Sequence, residues 1–243
     1  GVGVRVPRRR QKLNIMNVNE LDYKGERNLI MIAPCRSGHN FIRNQIKHWD
    51  KDNEIHICND EDLVPSQYQE RKDELIADGE KVNFDLPTYH VVIVRDFLNW
   101  LASYVVWITK NGTQTTNPVL RNIRTMIHVW KEQVKEAYSV TFYTDSLRLD
   151  YDRFKQREKT REVFSEILNL KYDDEMLGVV TSQGDGSSFT GNTVDGTRMD
   201  THLRYKTVSN SENFGDFYRS LLKVNADAVE LYKKHFELTD DQK

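Results

Sequence analysis

Residues 34–41 read PCRSGHNF, a run of side-chain types that suits the binding of a phosphate or sulfate group. Gly38 lets the backbone come close to an anion, and Arg36 adds a positive charge. Two neutral hydrogen-bonding side chains accompany them, Ser37 and Asn40. A helix that begins here would point unpaired backbone N–H groups and the positive end of its dipole at the same anion. The run therefore predicts an anion-binding loop, and the alternative is a tight turn that binds no ligand.

The spacing within this loop differs from that of the common ATP-binding loop, G-x-x-x-x-G-K-[ST]. Ala33 occupies the position of the first glycine, and Gly38 is followed by His39 rather than by lysine. The side chains that would hold magnesium and a γ-phosphate are therefore missing. This pattern favours a nucleotide without a triphosphate.

A second cluster lies in the segment VVIVRDFLNWLASYV, residues 91–105. Arg95 ends a strongly apolar run, where a cation is costly unless it meets a partner. Ser103 follows eight residues later, about two helical turns on. Both side chains could therefore reach one anion. The alternative is an arginine paired with a neighbouring carboxylate and a serine packed on a helix.

Strands and helices must bring these two clusters together. Apolar and β-branched runs predict strands, and helical periodicity predicts helices. Strands are predicted at 28–33, 54–58 and 89–96, with one or two more in 139–144 and 147–151. Helices are predicted at 39–49, 97–108, 118–138, 156–169 and 214–236, and residues 66–78 are compatible with a helix. This alternation predicts an α/β fold, a mostly parallel central sheet flanked by helices on both faces, with ligands at the carboxyl ends of the strands.

Composition limits the classes of partner. The chain has 243 residues and a net charge of −2, so no global field favours nucleic acid or an acidic membrane. No apolar run approaches the roughly 18 residues that a membrane span needs. Cys35 and Cys58 are too few for a disulfide framework or a zinc cluster, and reduced thiols favour a cytoplasmic location.

The basic residues of the chain are concentrated at its beginning. Residues 1–15 carry five arginine or lysine side chains and no acid. They predict a disordered or added leader, with Met16 as a candidate start, and the alternative is a phosphate-binding arm. Residues 16–243 are predicted to form a single α/β domain, in which the Gly-, Ser- and Asp-rich segment 181–200 is a loop.

Together the two clusters resemble motifs of the sulfotransferases that use 3′-phosphoadenosine 5′-phosphosulfate (PAPS). In that family a loop P-[KR]-S-G-T-[TS]-[WF] cradles the 5′-phosphosulfate, and a segment R-[DN]-x-x-x-x-x-x-S holds the 3′-phosphate. The first matches residues 34–41 with one extra residue between the proline and the cation. The second matches Arg95, Asp96 and Ser103 with full spacing. The resemblance implies a P-loop-NTPase-like sulfotransferase architecture with PAPS as the sulfuryl donor.

Three further segments resemble the family in the right order and extend the match to about residues 28–236. LRLDYDRF is similar to a strand end that places Tyr151 near the adenine. GSSFTGN is similar to a loop in which Phe189 stacks on adenine and Ser187 or Ser188 touches the nucleotide. NFGDF is similar to the G-D-W that precedes the last helices.

The chain departs from the family pattern at two places. His39 replaces a hydroxyl residue in the loop, where it either donates to a phosphate or caps the helix. The basic R-K-G before G-D-W is absent, so Arg198, Arg204 or Lys206 would supply its charge. The resemblance thus implies these nucleotide contacts: Arg36, Ser37, Gly38, His39, Asn40, Phe41, Arg95, Ser103, Tyr151, Ser188, Phe189 and Arg204.

The implied reaction is an in-line displacement on sulfur by a hydroxyl or amine acceptor, without a metal ion. Arg36 would stabilise the charge that builds on the departing oxygen, and the acceptor needs a general base. Some branches of the family use a glutamate just beyond the second strand, where this chain reads CNDEDLVPS.

Several residues are candidates for the base. Glu61 is the first candidate, and Asp60 and Asp62 follow it, with a solvated acidic turn as the alternative for each. His56 and His128 are further candidates, although the apolar stretch MIHVW favours a packed role for His128 over that of a base.

Other functions remain open from the sequence. One is another P-loop enzyme, such as a small-molecule or nucleotide kinase. Another is a degenerate nucleotide binder without catalysis, or a nucleic-acid binder that uses residues 1–15. The acceptor of a sulfotransferase reaction, whether a small molecule, a glycan or a peptide, is not encoded in any of these motifs.

Overall fold

A computed structural model describes residues 25–63, 67–111, 116–139, 146–179 and 203–236. The strands are β1 (Arg27–Ile32), β2 (Ile55–Asp60), β3 (Ile76–Ala77), β4 (Glu80–Lys81), β5 (Thr88–Val94) and β6 (Ser146–Asp150). The helices of the first half are α1 (His39–Trp49), α2 (Tyr68–Arg71), α3 (Phe97–Asn111), α4 (Pro118–Arg121) and α5 (Ile123–Ser139). Those of the second half are α6 (Tyr151–Gln156), α7 (Glu158–Ile167), α8 (Arg204–Ser209), α9 (Gly215–Val224) and α10 (Ala226–His235).

The described strands form one sheet in the order β4-β3-β2-β1-β5-β6. Strands β2, β1, β5 and β6 are parallel, and the short β3 and β4 form an antiparallel edge beside β2. The α/β class with a mostly parallel sheet is therefore confirmed. The antiparallel edge was not predicted, because each of its strands has only two residues.

Each face of the sheet packs against its own set of helices. On one face, Leu29 and Met31 of β1 belong to a core that includes Ile42 and Trp49 of α1. On the other face, Ile30 belongs to a core built with α3, α5 and the carboxyl-terminal helices. Both cores exist because β1 is apolar on both sides, as expected for a central parallel strand.

Two of the predicted helices are each divided into two helices at an asparagine. The predicted helix 118–138 is two helices, because Asn122 ends α4 and its side chain accepts hydrogen bonds from the backbone N–H groups of Arg124 and Thr125. Asn225 likewise separates α9 from α10 within the predicted helix 214–236. An asparagine side chain competes for backbone hydrogen bonds, which favours the start of a new helix.

Two other segments differ from the sequence-based prediction. Residues 66–78 were taken as helix-compatible, but the described part contains the single turn α2, a 3-10 turn at Lys72–Glu74 and then β3. The predicted strand 139–144 begins on the last residue of α5, and its remainder lies outside the described residues. Segments 1–15 and 181–200 also lie outside them. Within the described chain, no helix has the length and apolar character to cross a bilayer.

Candidate anion-binding site

The carboxyl ends of the four parallel strands meet along one edge of the sheet. The residues that follow them are the loop 33–38 after β1, Glu61 after β2, Arg95 after β5 and Tyr151 after β6. Parallel strand order therefore gathers residues that are far apart in the chain. This edge is where an open α/β sheet binds its ligands.

The loop after β1 is tightly folded back on itself. The backbone N–H of Ser37 donates to the carbonyl of Pro34 at 3.0 Å, and the Ser37 hydroxyl contacts the same carbonyl. Trp100 of α3 donates its Nε1–H to the carbonyl of Cys35 at 2.8 Å. Arg36 has φ of 71°, a left-handed conformation that costs a non-glycine residue roughly 1–2 kcal/mol. The hydrogen bond from Trp100 to Cys35 and the hydrogen bond between Ser37 and Pro34 hold the loop in this conformation.

Gly38 meets two requirements at the start of α1. Its φ of 89° lies in the left-handed region that favours glycine. In addition, a Cβ atom at this position would overlap the ring of Tyr151, which lies buried against the turn. Phe41 in turn packs edge-on against Tyr151, with ring centroids 6.2 Å apart. Tyr151 and Phe41 thus shape the loop, and Asn40 lies half-buried in the first turn of the helix.

Three arginines gather beside this loop, and we call Arg36, Arg95 and Arg204 the arginine cluster. Arg95 donates to the carbonyl of Arg36 at 2.9 Å, and its guanidinium carbon lies 5.0 Å from the Tyr151 ring centroid. Arg204, at the start of α8, donates to the Ser103 hydroxyl at 2.9 Å, and Arg95 approaches the same hydroxyl at 3.5 Å. The predicted pair of Arg95 and Ser103 is therefore together, and Arg204 joins it from 101 residues away.

The arginine cluster concentrates positive charge in a buried place. Arg95 is 2% exposed and Arg204 is 9% exposed. Burial, and then the charge of Arg95, hold the pKa of Arg204 well below its usual range. Like charges that have lost water repel one another unless an anion lies between them. The electrostatics of the cluster therefore suit a ligand with a strongly negative group.

Asp96 and Asn99 support the cluster without belonging to it. The Asp96 carboxyl accepts from the backbone N–H of Asn99 at 2.8 Å and from its side chain at 2.9 Å, which caps α3. Asn99 then accepts from the backbone N–H of Tyr205 at 3.1 Å, next to Arg204. Burial raises the pKa of Asp96 to about 8. Asn99 was not among the predicted site residues, although an aspartate just before a helix is a capping signal for the residue three positions later.

Glu61 follows β2 and lies on the side of the loop 33–38 that is opposite to the arginine cluster. Its Oε1 is 2.7 Å from Nε2 of His39, the first residue of α1. Burial acts to raise the pKa of Glu61, but the hydrogen bond from His39 and further contacts with Cys35 and Arg36 outweigh it and lower that pKa. His39 therefore faces an acidic side chain, which neither of its two predicted roles anticipated.

Asp60 and Asp62 form a separate ion-pair group with Arg71. Arg71 contacts Asp60 at 3.2 Å and Asp62 at 2.7 Å, and Asn117 donates to Asp62 at 3.0 Å. Burial raises the pKa of Asp60 to about 6, whereas hydrogen bonds from Asn117 and Arg71 overcome burial and lower the pKa of Asp62. Both aspartates thus have structural partners, and Glu61 is the better placed of the three beside the loop.

A cavity of about 360 Å³ opens next to the end of β2, and we call it the acidic cavity. Its charged and amide lining consists of Asn59, Asp60, Glu61, Asp62, Arg71, Glu74 and Asn117. Four carboxylates face one guanidinium, so the cavity carries net negative charge. Glu61 lines the cavity and also contacts His39, so it lies between the cavity and the loop.

The remaining predicted residues either lie at other positions of the described elements or fall outside the described residues. His56 lies within β2, and His128 is exposed on α5 rather than packed as MIHVW indicated. Lys206 is half-buried on α8, two residues after Arg204. The predicted contacts Ser187, Ser188, Phe189 and Arg198 lie outside the described residues.

A group of possible metal ligands lies at the far end of α1, away from the loop. His48 Nε2 is 2.7 Å from Asp173 and 3.5 Å from Glu175. Lys51 lies 3.4 Å from the other ring nitrogen of His48, and Trp49 donates to the Asp173 carbonyl. These contacts tie residues 173–175 to the helix and account for the cluster without a metal.

Comparisons with known proteins identify a similarity to a solved structure. No protein-family model matches the chain, and no curated protein matches it significantly. Among solved structures, it is similar to the crystal structure of mouse sulfotransferase SULT7A1 complexed with PAP, with 12% sequence identity and a TM-score of 0.41. The alignment covers 90% of this chain and 91% of the mouse chain. A likeness at this level transfers neither a ligand nor an activity, so function must be inferred from this chain's own residues.

Proposed function

We propose that the chain is a sulfotransferase that moves a sulfuryl group from PAPS to a hydroxyl or amine acceptor. The observation that supports this most is the convergence of Arg95 and Arg204 on Ser103 beside the left-handed loop at Gly38. The loop and the arginine cluster are two neighbouring anion positions. A nucleotide with phosphate groups at both its 3′ and 5′ positions would use both.

Each part of the edge has a role in this proposal. The amides of the loop and of the α1 N-terminus bind the 5′-phosphosulfate, because helix starts offer unpaired N–H groups. Ser103, Arg95 and Arg204 bind the 3′-phosphate through charge-assisted hydrogen bonds. The loop clamp by Trp100 keeps these donors in place before the ligand arrives.

The transfer step is an in-line displacement at sulfur. The acceptor oxygen or nitrogen forms a bond to sulfur while the bond from sulfur to the bridging oxygen breaks. The electron pair of that bond stays on the bridging oxygen of 3′-phosphoadenosine 5′-phosphate, where Arg36 offsets the charge. Glu61 takes the proton of the acceptor and later releases it to solvent.

The acidic cavity is the acceptor site in this proposal. It lies beside the end of β2 and includes Glu61 in its lining, so a bound acceptor would be next to the base. Its volume of about 360 Å³ fits a small molecule or the end of a larger chain. Which acceptor binds there is a question for screening.

The alternatives from the sequence gain no observation that favours them. A kinase would need a lysine and a magnesium-binding hydroxyl after Gly38, and the residue there is His39, which contacts Glu61. A nucleotide binder without catalysis would share the anion site but would lack turnover.

The experiment that tests the proposal is calorimetric titration with 3′-phosphoadenosine 5′-phosphate, with ATP and 5′-AMP as controls. We expect the 3′,5′-bisphosphate to bind at least tenfold more tightly than either control, because only it fills both anion positions. Equal or tighter binding of ATP would contradict the proposal and favour a kinase. Tight binding of the bisphosphate without any release of sulfate or sulfated product from PAPS would favour the non-catalytic binder.

A further inference from the structure

His39 occupies an unusual position for a residue in an anion-binding loop. It is the first residue of α1, immediately after Gly38, and is 5% exposed. Its Nε2 lies 2.7 Å from Oε1 of Glu61, across the gap between the ends of β1 and β2. A buried imidazole at this distance fixes both the position and the orientation of the carboxylate.

The other ring nitrogen of His39 is also informative. Nδ1 is buried and has no hydrogen-bond partner among the residues that the structure describes. A buried polar atom without a partner destabilises the folded state, because it has lost water and gained no hydrogen bond. Such an arrangement is rare in parts of a protein that serve stability alone, and it is more frequent where a ligand or an ordered water completes the site.

The groups that face Glu61 come from three elements. The loop contributes Cys35 and Arg36, α1 contributes His39, and α3 contributes Tyr104. Burial, and then Glu61, raise the pKa of the Cys35 thiol well above its usual value, and burial likewise raises that of Tyr104. Both groups therefore stay protonated near neutral pH and do not compete with Glu61 as bases.

Asp60 and Asp62 flank Glu61 in the chain, but Arg71 holds their carboxylates at 3.2 Å and 2.7 Å. The groups that keep Glu61 ionised are thus His39, Cys35 and Arg36, which together outweigh the effect of burial. Among them, the hydrogen bond from His39 has the largest lowering effect on the pKa of Glu61.

We infer that His39 is a positioning residue for Glu61: its Nε2–H donates to Oε1 and keeps the carboxylate ionised at the wall of the acidic cavity. This inference rests on the proposed function, in which Glu61 accepts the proton of the acceptor. The contact makes Glu61 a weaker base but ensures that it is deprotonated over a wide pH range. His39 thereby extends the activity of the site toward acidic pH.

A pair of variants separates this role from a merely structural one. His39→Leu removes the donor, and His39→Gln places an amide N–H near the position of Nε2. The first measurement is a carbon-13 NMR titration of the glutamate carboxyl groups, with Glu61 assigned from Glu61→Gln. We expect the Glu61 titration to move to higher pH in His39→Leu and to stay close to wild type in His39→Gln. An unchanged titration in His39→Leu would overturn the inference, whatever the enzyme does.

The second measurement is turnover of PAPS with water as the acceptor, as a function of pH. Because His39→Leu removes the hydrogen bond that lowers the pKa of Glu61, we expect it to lose turnover at pH 5, where fewer of its Glu61 side chains are ionised, and to recover to wild type or above by pH 8. A loss of the same size at every pH would show a structural role and overturn the inference.

Two controls keep the inference distinct from the proposed function. Binding of 3′-phosphoadenosine 5′-phosphate should change less than about threefold in both His39 variants, which also shows that they fold. If the Glu61 titration moves in His39→Leu while Glu61→Gln keeps full turnover, Glu61 is not the base and the inference falls with that role. If neither wild type nor variants bind the bisphosphate, the proposed function fails, and the NMR result alone decides whether the contact between His39 and Glu61 exists.

Discussion

The two sides of the loop at Gly38 differ in charge and in the way they are built. On one side the arginine cluster gathers around Ser103 from β5, α3 and α8. On the other side the acidic cavity gathers four carboxylates at the end of β2. The arginine side carries positive charge, and the acidic cavity keeps a net negative charge although Arg71 already pairs with Asp60 and Asp62. The difference indicates where an anionic donor and a proton-releasing acceptor would meet.

The largest expected effect separates chemistry from binding on the acidic side. Glu61→Gln should lower turnover of PAPS about 10²- to 10⁴-fold, because the amide cannot take the acceptor's proton. Its affinity for 3′-phosphoadenosine 5′-phosphate, measured by calorimetry, should stay within about threefold of wild type. Full turnover in Glu61→Gln would show that the base lies elsewhere.

The next effect belongs to the arginine side. Arg95→Met removes a buried cation while it keeps much of the side-chain volume. It should weaken binding of 3′-phosphoadenosine 5′-phosphate by about 2–5 kcal/mol, because a desolvated phosphate loses its partner. Arg124, which is exposed on α5, offers a matched control, and Arg124→Met should leave the affinity unchanged. Equal affinities for the two variants would remove the arginine cluster from the nucleotide site.

Gly38 tests the turn that separates the two sides, and Gly79, in the turn between β3 and β4, serves as its control. Gly38→Ala should destabilise the fold by more than about 2 kcal/mol, because its Cβ overlaps the Tyr151 ring and its backbone is left-handed. Gly79 has a similar φ of 96° but nothing within 4 Å of its Cβ position. Gly79→Ala should therefore cost only about 1 kcal/mol. Denaturant unfolding of both variants measures the difference, and similar losses would mean that Tyr151 moves aside at little cost.

The smallest effect concerns pH and the two aspartates of the acidic cavity. Burial raises the pKa of Asp60 to about 6, so ionisation of Asp60 lowers stability as pH rises from 4 through 6. Asp62 has a lowered pKa, so its contribution is present above its usual pKa and is lost as pH falls below it.

As pH rises from 4 to 7, the free energy of unfolding of Asp60→Asn should therefore increase by about 1–2 kcal/mol relative to that of wild type. Asp62→Asn should instead be less stable than wild type at every pH above about 4, and this deficit should shrink as pH falls below 4 and wild-type Asp62 becomes protonated. Chemical denaturation at several pH values measures both. Parallel pH profiles for the two variants would show that the asymmetry between these carboxylates is wrong.

The arginine side was predictable from the sequence to a greater extent than the acidic side. Gly38 and Arg36 lie in one continuous loop, and Arg95 and Ser103 are eight residues apart on one strand end and helix. Local spacing is enough to bring such residues together. Glu61 is a candidate base because the family resemblance implies a glutamate just beyond the second strand, and the structure places it in contact with His39 of the loop. Its catalytic role remains a prediction.

The contacts that were missed are long-range or cooperative. Asn99 connects the cap of α3 to α8 through Tyr205, a residue 106 positions away. Tyr151 lies on Gly38 only because β6 pairs with β5 in register. The division of helices at Asn122 depends on whether an asparagine side chain or the continuing helix satisfies the backbone, which periodicity cannot decide.

The sequence by itself determined the four parallel strands, the sharp glycine turn and the spacing of Arg95 and Ser103, because backbone conformation and side-chain periodicity act over a few residues. The tertiary structure alone decided that Arg204 completes the arginine cluster, that Arg71 pairs with Asp60 and Asp62, and that His39 contacts Glu61. The physical reason is that burial and charge depend on strand order. Residues that share the carboxyl edge of the sheet lose water together, and their pairing is settled by distances that exist only once β2, β1, β5 and β6 lie side by side.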